Sequence, residues 1–314
     1  MNDQSHAMQT HDPQSLTPPS IISIPDLTDV IIRHQSYPTD GGAYGDIYRC
    51  TYHTPEGDVE VAVKAIRPLF TNAAELAKIS EIFRREFGIW KRLEHPKILN
   101  LIGTTQNFGP LVASVAPWMV NGTLTLFLKK KNTLKLRDRL RLLRDIAEGL
   151  DYLHNGHPYL SPVVHGDLTG NNVLINNNGS ACLTDFGLSG TLSELAGMTY
   201  LIKTSCRPGA LRWTAPEFFS GDESAAVVTT QSDIYSFGSI MLQVLTGDVP
   251  WSYLKNDGAI TLHLSQGIIH RRPPSRYVTD RCWDFILRCW STTPNDRPSA
   301  AEALQFVVSE QSLA

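Results

Sequence analysis

The sequence predicts an α+β fold in two lobes, a small sheet lobe carrying one helix and then a larger helical lobe, and three observations predict it. From Asp26 to residue 118 the hydrophobic pattern is mostly that of short alternating strands, interrupted by one helical period. From residue 119 to 314 long helical periods dominate. A length of 314 residues with 42% hydrophobic content exceeds what one compact core usually holds, yet is modest for three domains. Residues 1–25 are rich in Gln, Ser, Thr, His and Pro and lack Phe, Trp and Tyr, so they read as a disordered tail ahead of the 26–118 and 119–314 lobes. No internal repeat is visible, and with the chain ending soon after Pro298 the two lobes are expected to form nearly the whole protein.

Composition narrows the function classes. Lys and Arg total 28 against 31 Asp and Glu, a balance that gives no footprint for nucleic acid or an acidic membrane surface. Five cysteines with no CxxC pair argue against a disulfide framework or a zinc site. Cys282 and Cys289 share one face of a helical stretch and read as buried apolar thiols. Apolar runs such as residues 111–120 are too short to span a membrane, and no basic stretch followed by an apolar one opens the chain. A soluble, intracellular, cytoplasmic protein is expected; its oligomeric state is left open.

The first chemical feature is the glycine-rich stretch Asp40-Gly41-Gly42-Ala43-Tyr44-Gly45-Asp46-Ile47, where missing side chains let backbone amides approach phosphates. An ordinary hairpin turn reads the same way. Next comes Val59-Glu60-Val61-Ala62-Val63-Lys64-Ala65-Ile66, whose alternation puts Ala62 and Lys64 on one strand face. A lysine there either holds an anion or snorkels to solvent. A helix from about Ala73 to Leu93 then supplies a candidate anion. Ile79, Phe83, Trp90 and Leu93 surround Glu86, which centres it on the apolar face. A buried carboxylate needs a partner, and Lys64 is the natural one; a purely structural ion pair is the rival reading.

After an amphipathic helix with Leu136, Leu140, Leu143, Ile146, Ala147, Leu150 and Leu153 on one side comes His165-Gly166-Asp167-Leu168-Thr169-Gly170-Asn171-Asn172. The strand-like Val173-Leu174-Ile175 and Ala181-Cys182-Leu183 flank an Asn178-Gly179 pair, a hairpin signal. If those two residues are the turn, Asn177 faces Ser180, and the same register sets Asn172 opposite Asp185. Cross-strand Cβ atoms lie about 4.5–5.5 Å apart, so an amide oxygen and a carboxylate would converge as a Mg2+ site. Asn and Asp capping the strand ends is the plainer alternative, though it leaves their juxtaposition with Asp167 unexplained.

With these motifs in order, the span from Asp26 to about Ser309 resembles the eukaryotic protein kinase family. The resemblance implies a bilobal kinase fold with an antiparallel sheet in the first lobe, ATP and Mg2+ as cofactors, and a protein substrate. It implies that Lys64 holds the α and β phosphates and pairs with Glu86, that Asp167 accepts the substrate hydroxyl proton, and that Asn172 and Asp185 hold magnesium. Gly41, Gly42 and Gly45 would cover the phosphates. Ala62 and Ile47 would roof adenine and Leu174 floor it. Trp118 and Met119 resemble the hinge, with Ala116 as gatekeeper. Asp185-Phe186-Gly187 and Ala215-Pro216-Glu217 would bracket the activation segment. Asp233 resembles the acid bracing the catalytic loop, and Arg297 the partner of Glu217; on their own they read as a helix N-terminal acid and a surface charge.

Trp118-Met119, Leu211-Arg212-Trp213 and Pro294-Asn295-Asp296-Arg297-Pro298 are similar to the tyrosine-kinase-like branch, including its fungal members with a His-Gly-Asp loop, which mostly phosphorylate Ser or Thr. Three departures stand out. Asp40 takes the place of the first glycine. Gly166 replaces the usual arginine, removing the cation that binds an activation-loop phosphate, so activity is expected not to depend on phosphorylation at Thr191, Ser193, Thr199, Tyr200, Thr204 or Ser205. Thr169 and Ala210 stand where Ser/Thr kinases carry a lysine and a threonine beside the catalytic aspartate. Losing one preorganised donor costs roughly 10²- to 10³-fold, so a slow Ser/Thr kinase is expected. The alternative is a nucleotide-binding pseudokinase acting as a scaffold or allosteric partner.

Overall fold

The computed structural model describes residues 23–42, 45–67, 72–131, 133–156, 162–186, 209–219 and 227–314. Several expectations fall outside these residues: the tail over 1–22, Ala43 and Tyr44 of the glycine-rich stretch, Gly187, Cys206, and all six hydroxyls named above.

The first lobe is a curled antiparallel sheet. Its strands are β1 (Ile31–Arg33), β2 (Asp40–Gly41), β3 (Gly45–Thr54), β4 (Gly57–Ile66), β5 (Gly103–Thr105) and β6 (Ala113–Pro117), ordered β1-β3-β4-β6-β5 with β2 added to β3. Strict alternation sorts β4 into two faces. Val61, Val63 and Ala65 are buried with Leu27, Tyr48, Cys50, Ala113 and Val115. Ala62 and Lys64 lie on the opposite face, where the register sets Ala62 between Arg49 and Ala116, and Lys64 between Ile47 and Ser114. Pairing starts just ahead of the expected boundary, since the Thr104 amide donates to the Pro25 carbonyl at 2.9 Å.

Helix α1 (Ala73–Arg92) packs Ile79, Phe83 and Phe87 against Leu101 and Leu111, leaving Arg84 and Arg85 exposed. The second lobe contains α2 (Leu124–Lys130), α3 (Leu136–Asn155), the hairpin β7 (Val173–Ile175) and β8 (Ala181–Leu183), α4 (Thr230–Thr246), α5 (Asp257–Ser265), α6 (Asp280–Cys289) and α7 (Ala300–Leu313). The leucine face of α3 lies in the core with the apolar side of α4. Helix α4 starts with reciprocal Thr229–Ser232 capping and stops at Gly247. Cys50, Cys182, Cys282 and Cys289 are buried free thiols, and burial pushes the Cys50 thiol up to about 11. Among the described residues no helix is long and apolar enough to cross a membrane.

The β7–β8 register differs from the expected one by one residue. Val173 pairs with Leu183, Leu174 with Cys182 and Ile175 with Ala181. A two-residue turn at Asn178-Gly179 needs positive φ at both positions, and only Gly179 has it, at 75°. The chain instead forms a three-residue loop, with the Asn176 amide bonded to the Ser180 carbonyl and the Asn176 side chain accepting from the Asn178 and Ser180 amides. Asn172 therefore stands opposite Thr184, whose amide donates to its carbonyl at 3.0 Å, and Asp185 follows one residue later.

Candidate active site

The loop between α3 and β7 is fixed from beneath by one buried carboxylate. Asp233, in the first turn of α4, is 1% exposed. Its Oδ2 accepts from the His165 amide at 2.8 Å and pairs with His154 Nε2 at 2.9 Å, while Oδ1 accepts from the Gly166 amide at 2.8 Å. Gly166 has φ 73°, a left-handed conformation that glycine adopts without strain. His165 is fully buried, and burial lowers its pKa against the pull of Asp233, Asp167 and Asp185, so the ring is neutral near pH 7.

Immediately downstream, the Asn172 side-chain amide donates to the Asp167 backbone carbonyl at 2.7 Å and to Asp167 Oδ2 at 2.9 Å. Across the site, Lys64 Nζ meets Asp185 Oδ2 at 2.5 Å. The expected ion pair of Lys64 with Glu86 is thus replaced by one with Asp185. The ammonium sits on the inner face of β4 within reach of a carboxylate just beyond β8, and it takes that anion. Glu86 does occupy the buried face of α1, at 7% exposure. Asp185 has φ 60°, which costs a non-glycine residue on the order of 1–3 kcal/mol, as residues at functional sites often do. Next to it, Phe186 makes edge contacts with His165 and Trp90 at centroid distances of 6.2 and 5.9 Å. Aromatic rings therefore join the loop to the helix that carries Glu86.

The inner sheet face carries Ile47, Ala62, Lys64 and Ala116 in register, with Ala116 buried. Trp118 donates its amide to the Glu60 carbonyl at 3.2 Å and lies under the Arg49 guanidinium. The Met119 carbonyl accepts from Gly122, and Thr123 bridges to Leu174, so the chain leaving the sheet pairs directly onto β7. Gly41 and Gly45 pair within the β2–β3–β4 sheet, and Gly42 N–H donates to the Gly45 carbonyl at 3.0 Å. Arg67 reaches back to the Gly42 carbonyl and to Asp46.

Around the substrate side, Thr169 is buried and accepts the Asn171 amide through its hydroxyl at 3.3 Å, and Ala210 precedes a 3-10 turn at Leu211–Trp213. Arg297 is buried and grips Glu217 with two bonds of 2.7 Å, so it is no surface charge. Arg212 ties that 3-10 turn to the Pro250, Trp251 and Leu254 carbonyls.

One contributor escapes the sequence reading. Gln243 of α4 is 1% exposed; its carbonyl accepts from the Trp213 indole at 3.2 Å and its amide donates to the Thr125 hydroxyl at 3.1 Å. The Thr125 amide in turn donates to the Gly170 carbonyl at 3.0 Å. A Cβ on Gly170 would sit 2.4 Å from the Gln243 side chain and 2.6 Å from Thr125, which explains glycine there. The available signal was a lone amide in the apolar run Met241-Leu242-Gln243-Val244-Leu245.

Over residues 38–307 the chain matches the family model described as protein tyrosine and serine/threonine kinase. It is 29% identical over 267 residues to the human serine/threonine-protein kinase TNNI3K, covering 84% of this chain and 29% of that protein. It is 32% identical to the probable serine/threonine-protein kinase SIS8 of Arabidopsis thaliana, covering 84% of this chain and 23% of that protein. Human ephrin type-A receptor 1 is likewise 32% identical, with 82% of this chain and 24% of the receptor covered. The chain thus spans a quarter or so of the length of these relatives. With a sheet lobe, a helical lobe and a family match over most of its length, the chain belongs to the eukaryotic protein kinase family, with relatives consistent with its tyrosine-kinase-like branch.

Proposed function

We propose that this chain is an active, slow Ser/Thr protein kinase acting on protein hydroxyls in the cytoplasm, with the sheet lobe at 26–118 and the helical lobe at 119–314. The observation that carries this reading is two pairs of polar groups: Asp167 held by the Asn172 amide at 2.9 Å within the loop, and Lys64 of β4 on Asp185, just beyond β8, at 2.5 Å. Asp167 accepts the proton of the substrate hydroxyl, and Asn172 orients it.

The residues present fit a magnesium nucleotide, the cofactor that the family generally uses. Asp185 commits Oδ2 to Lys64 and Asn172 commits its nitrogen to Asp167, which leaves one carboxylate and one amide oxygen as hard ligands. When bound, ATP supplies the phosphoryl group and Mg2+ neutralises charge on it. Lys64 would bind the phosphates, and Gly41, Gly42 and Gly45 would lie over them. Ile47, Ala62 and Leu174 enclose adenine, with Ala116, Trp118 and Met119 at its edge. Thr169 carries no cation and Ala210 no hydroxyl where Ser/Thr kinases place them beside the catalytic aspartate, which supports a turnover on the order of 0.001–1 s⁻¹. Gly166 offers no cation to an activation-segment phosphate, which supports activity without such phosphorylation.

Phosphatase-treated protein, given labelled ATP, magnesium and a generic protein acceptor, tests all of this at once. Phosphoserine and phosphothreonine are the expected products. Phosphotyrosine alone contradicts the specificity, and nucleotide binding with no transfer favours a scaffold.

A further inference from the structure

The corner between α2 and α3 carries a charge density found nowhere else in the sequence. Residues 124–141 hold seven of the 28 basic residues and one acid, Asp138, in a chain whose net charge is −3. Arg139 is buried, where it donates to the Leu134 and Val244 carbonyls. The other six, Lys129, Lys130, Lys131, Lys135, Arg137 and Arg141, are exposed, and among the described residues none makes an ion pair. Among the described residues Arg141 reaches only the Ser180 hydroxyl, on a turn made of neutral Asn176, Asn177, Asn178 and Gly179.

Helix stability accounts for a minority of these charges. Lys129 and Lys130 lie in the last turn of α2, where cations complement the helix dipole. Lys135 and Arg137 lie at the start of α3, where the same dipole opposes them and Ser, Thr or Asp would cap better. Cations kept at an unfavourable helix end, without an ion pair among the described residues and clustered with four others, call for an external anion.

Position selects its kind. The first turn of α2 is bonded to the catalytic loop through Thr125 and Gly170, and the helix is seven residues, roughly 10 Å, long. An extended acceptor with its hydroxyl at Asp167 reaches the lysines with roughly four to eight residues. The acidic balance of the rest of the chain opposes steering toward a membrane or RNA. We propose that this basic corner is a docking surface for an acidic stretch of the acceptor protein, so that the kinase prefers hydroxyls flanked at a short distance by Asp and Glu. The substrate preference rests on the kinase reading above; the docking itself does not.

Two acceptor peptides, one neutral and one with a run of Glu four to eight residues from the hydroxyl on either side, separate the possibilities. The acidic peptide is expected to have a KM about tenfold lower, from a few exposed ion pairs acting together. The combined Lys129→Gln, Lys130→Gln, Lys131→Gln variant is expected to abolish that difference while leaving kcat and the neutral-peptide KM unchanged. Arg137→Gln with Arg141→Gln is expected to reduce it, and raising salt from about 50 to about 300 mM to mask it. Equal KM values for the two peptides, or a preference that survives in both variants, overturn the proposal. Fluorescence anisotropy of the labelled acidic peptide gives a readout independent of catalysis. If no transfer occurs to any acceptor, binding that the lysine variant loses still supports the surface, and no binding overturns it. Tighter lysine-dependent binding to anionic vesicles or to poly(U) RNA than to the peptide also overturns it.

Discussion

Asp233 holds the catalytic loop from inside the protein, 1% exposed and bonded to two backbone amides and a histidine, whereas the glycine-rich turn is held from outside by Arg67, whose side chain is about half exposed. Both segments lie beside the same lysine strand or the carboxylate it binds, yet one is anchored in low dielectric and the other in water. A charged hydrogen bond in low dielectric resists distortion, and a solvated one yields to it. On the proposed kinase reading, the loop keeps Asp167 and Asn172 fixed and the turn admits a nucleotide. The contrast between the two anchors fits those two duties.

Substitutions at the anchors probe the contrast directly. Asp233→Ala leaves the His165 and Gly166 amides and His154 without their acceptor in the core, and about 3–5 kcal/mol of stability should go with it, read as a Tm lower by roughly 10 °C. Gln243→Met preserves volume but strands the Trp213 indole and the Thr125 hydroxyl; a loss of about 1–3 kcal/mol is expected, with a fall in kcat that Gln243→Glu, which keeps the acceptor for Trp213, restores in part. Ala116→Met adds bulk behind the inner sheet face, and bulky adenine-analogue inhibitors should bind roughly tenfold more weakly than to the native protein. Arg67→Ala should change stability by about 0.5 kcal/mol or less, in line with an exposed pair. If Arg67→Ala proved as damaging as Asp233→Ala in chemical denaturation, the division into a rigid loop and a compliant turn would be wrong.

How far the sequence carried depended on the range of the interaction. Period-two alternation was enough to put Ala62 and Lys64 on one face of β4, and helical period enough to bury Glu86, because both are set within a single element. The β7–β8 register slipped by one residue because an Asn-Gly pair serves either a two- or a three-residue loop, and the Asn176 side chain, which decides, lies outside the pair. The partner of Lys64 is 121 positions away, and competition between two carboxylates for one ammonium has no signature in local pattern. Arg297 and Glu217, 80 positions apart, were matched by resemblance alone; nothing local distinguishes a buried arginine in a proline-flanked turn from a surface one. Gln243 was hidden in an apolar run whose only irregularity was itself.

The most direct test of a braced, competent site is the rate of phosphoryl transfer to protein by the native chain against Asp167→Asn prepared in parallel, with ATP and magnesium saturating. The native protein is expected to turn over at about 0.001–1 s⁻¹, with Asp167→Asn at least roughly 100-fold slower although equally folded and equally able to bind nucleotide. Equal, background-level rates for the two would contradict the account and leave the site as a nucleotide-binding scaffold.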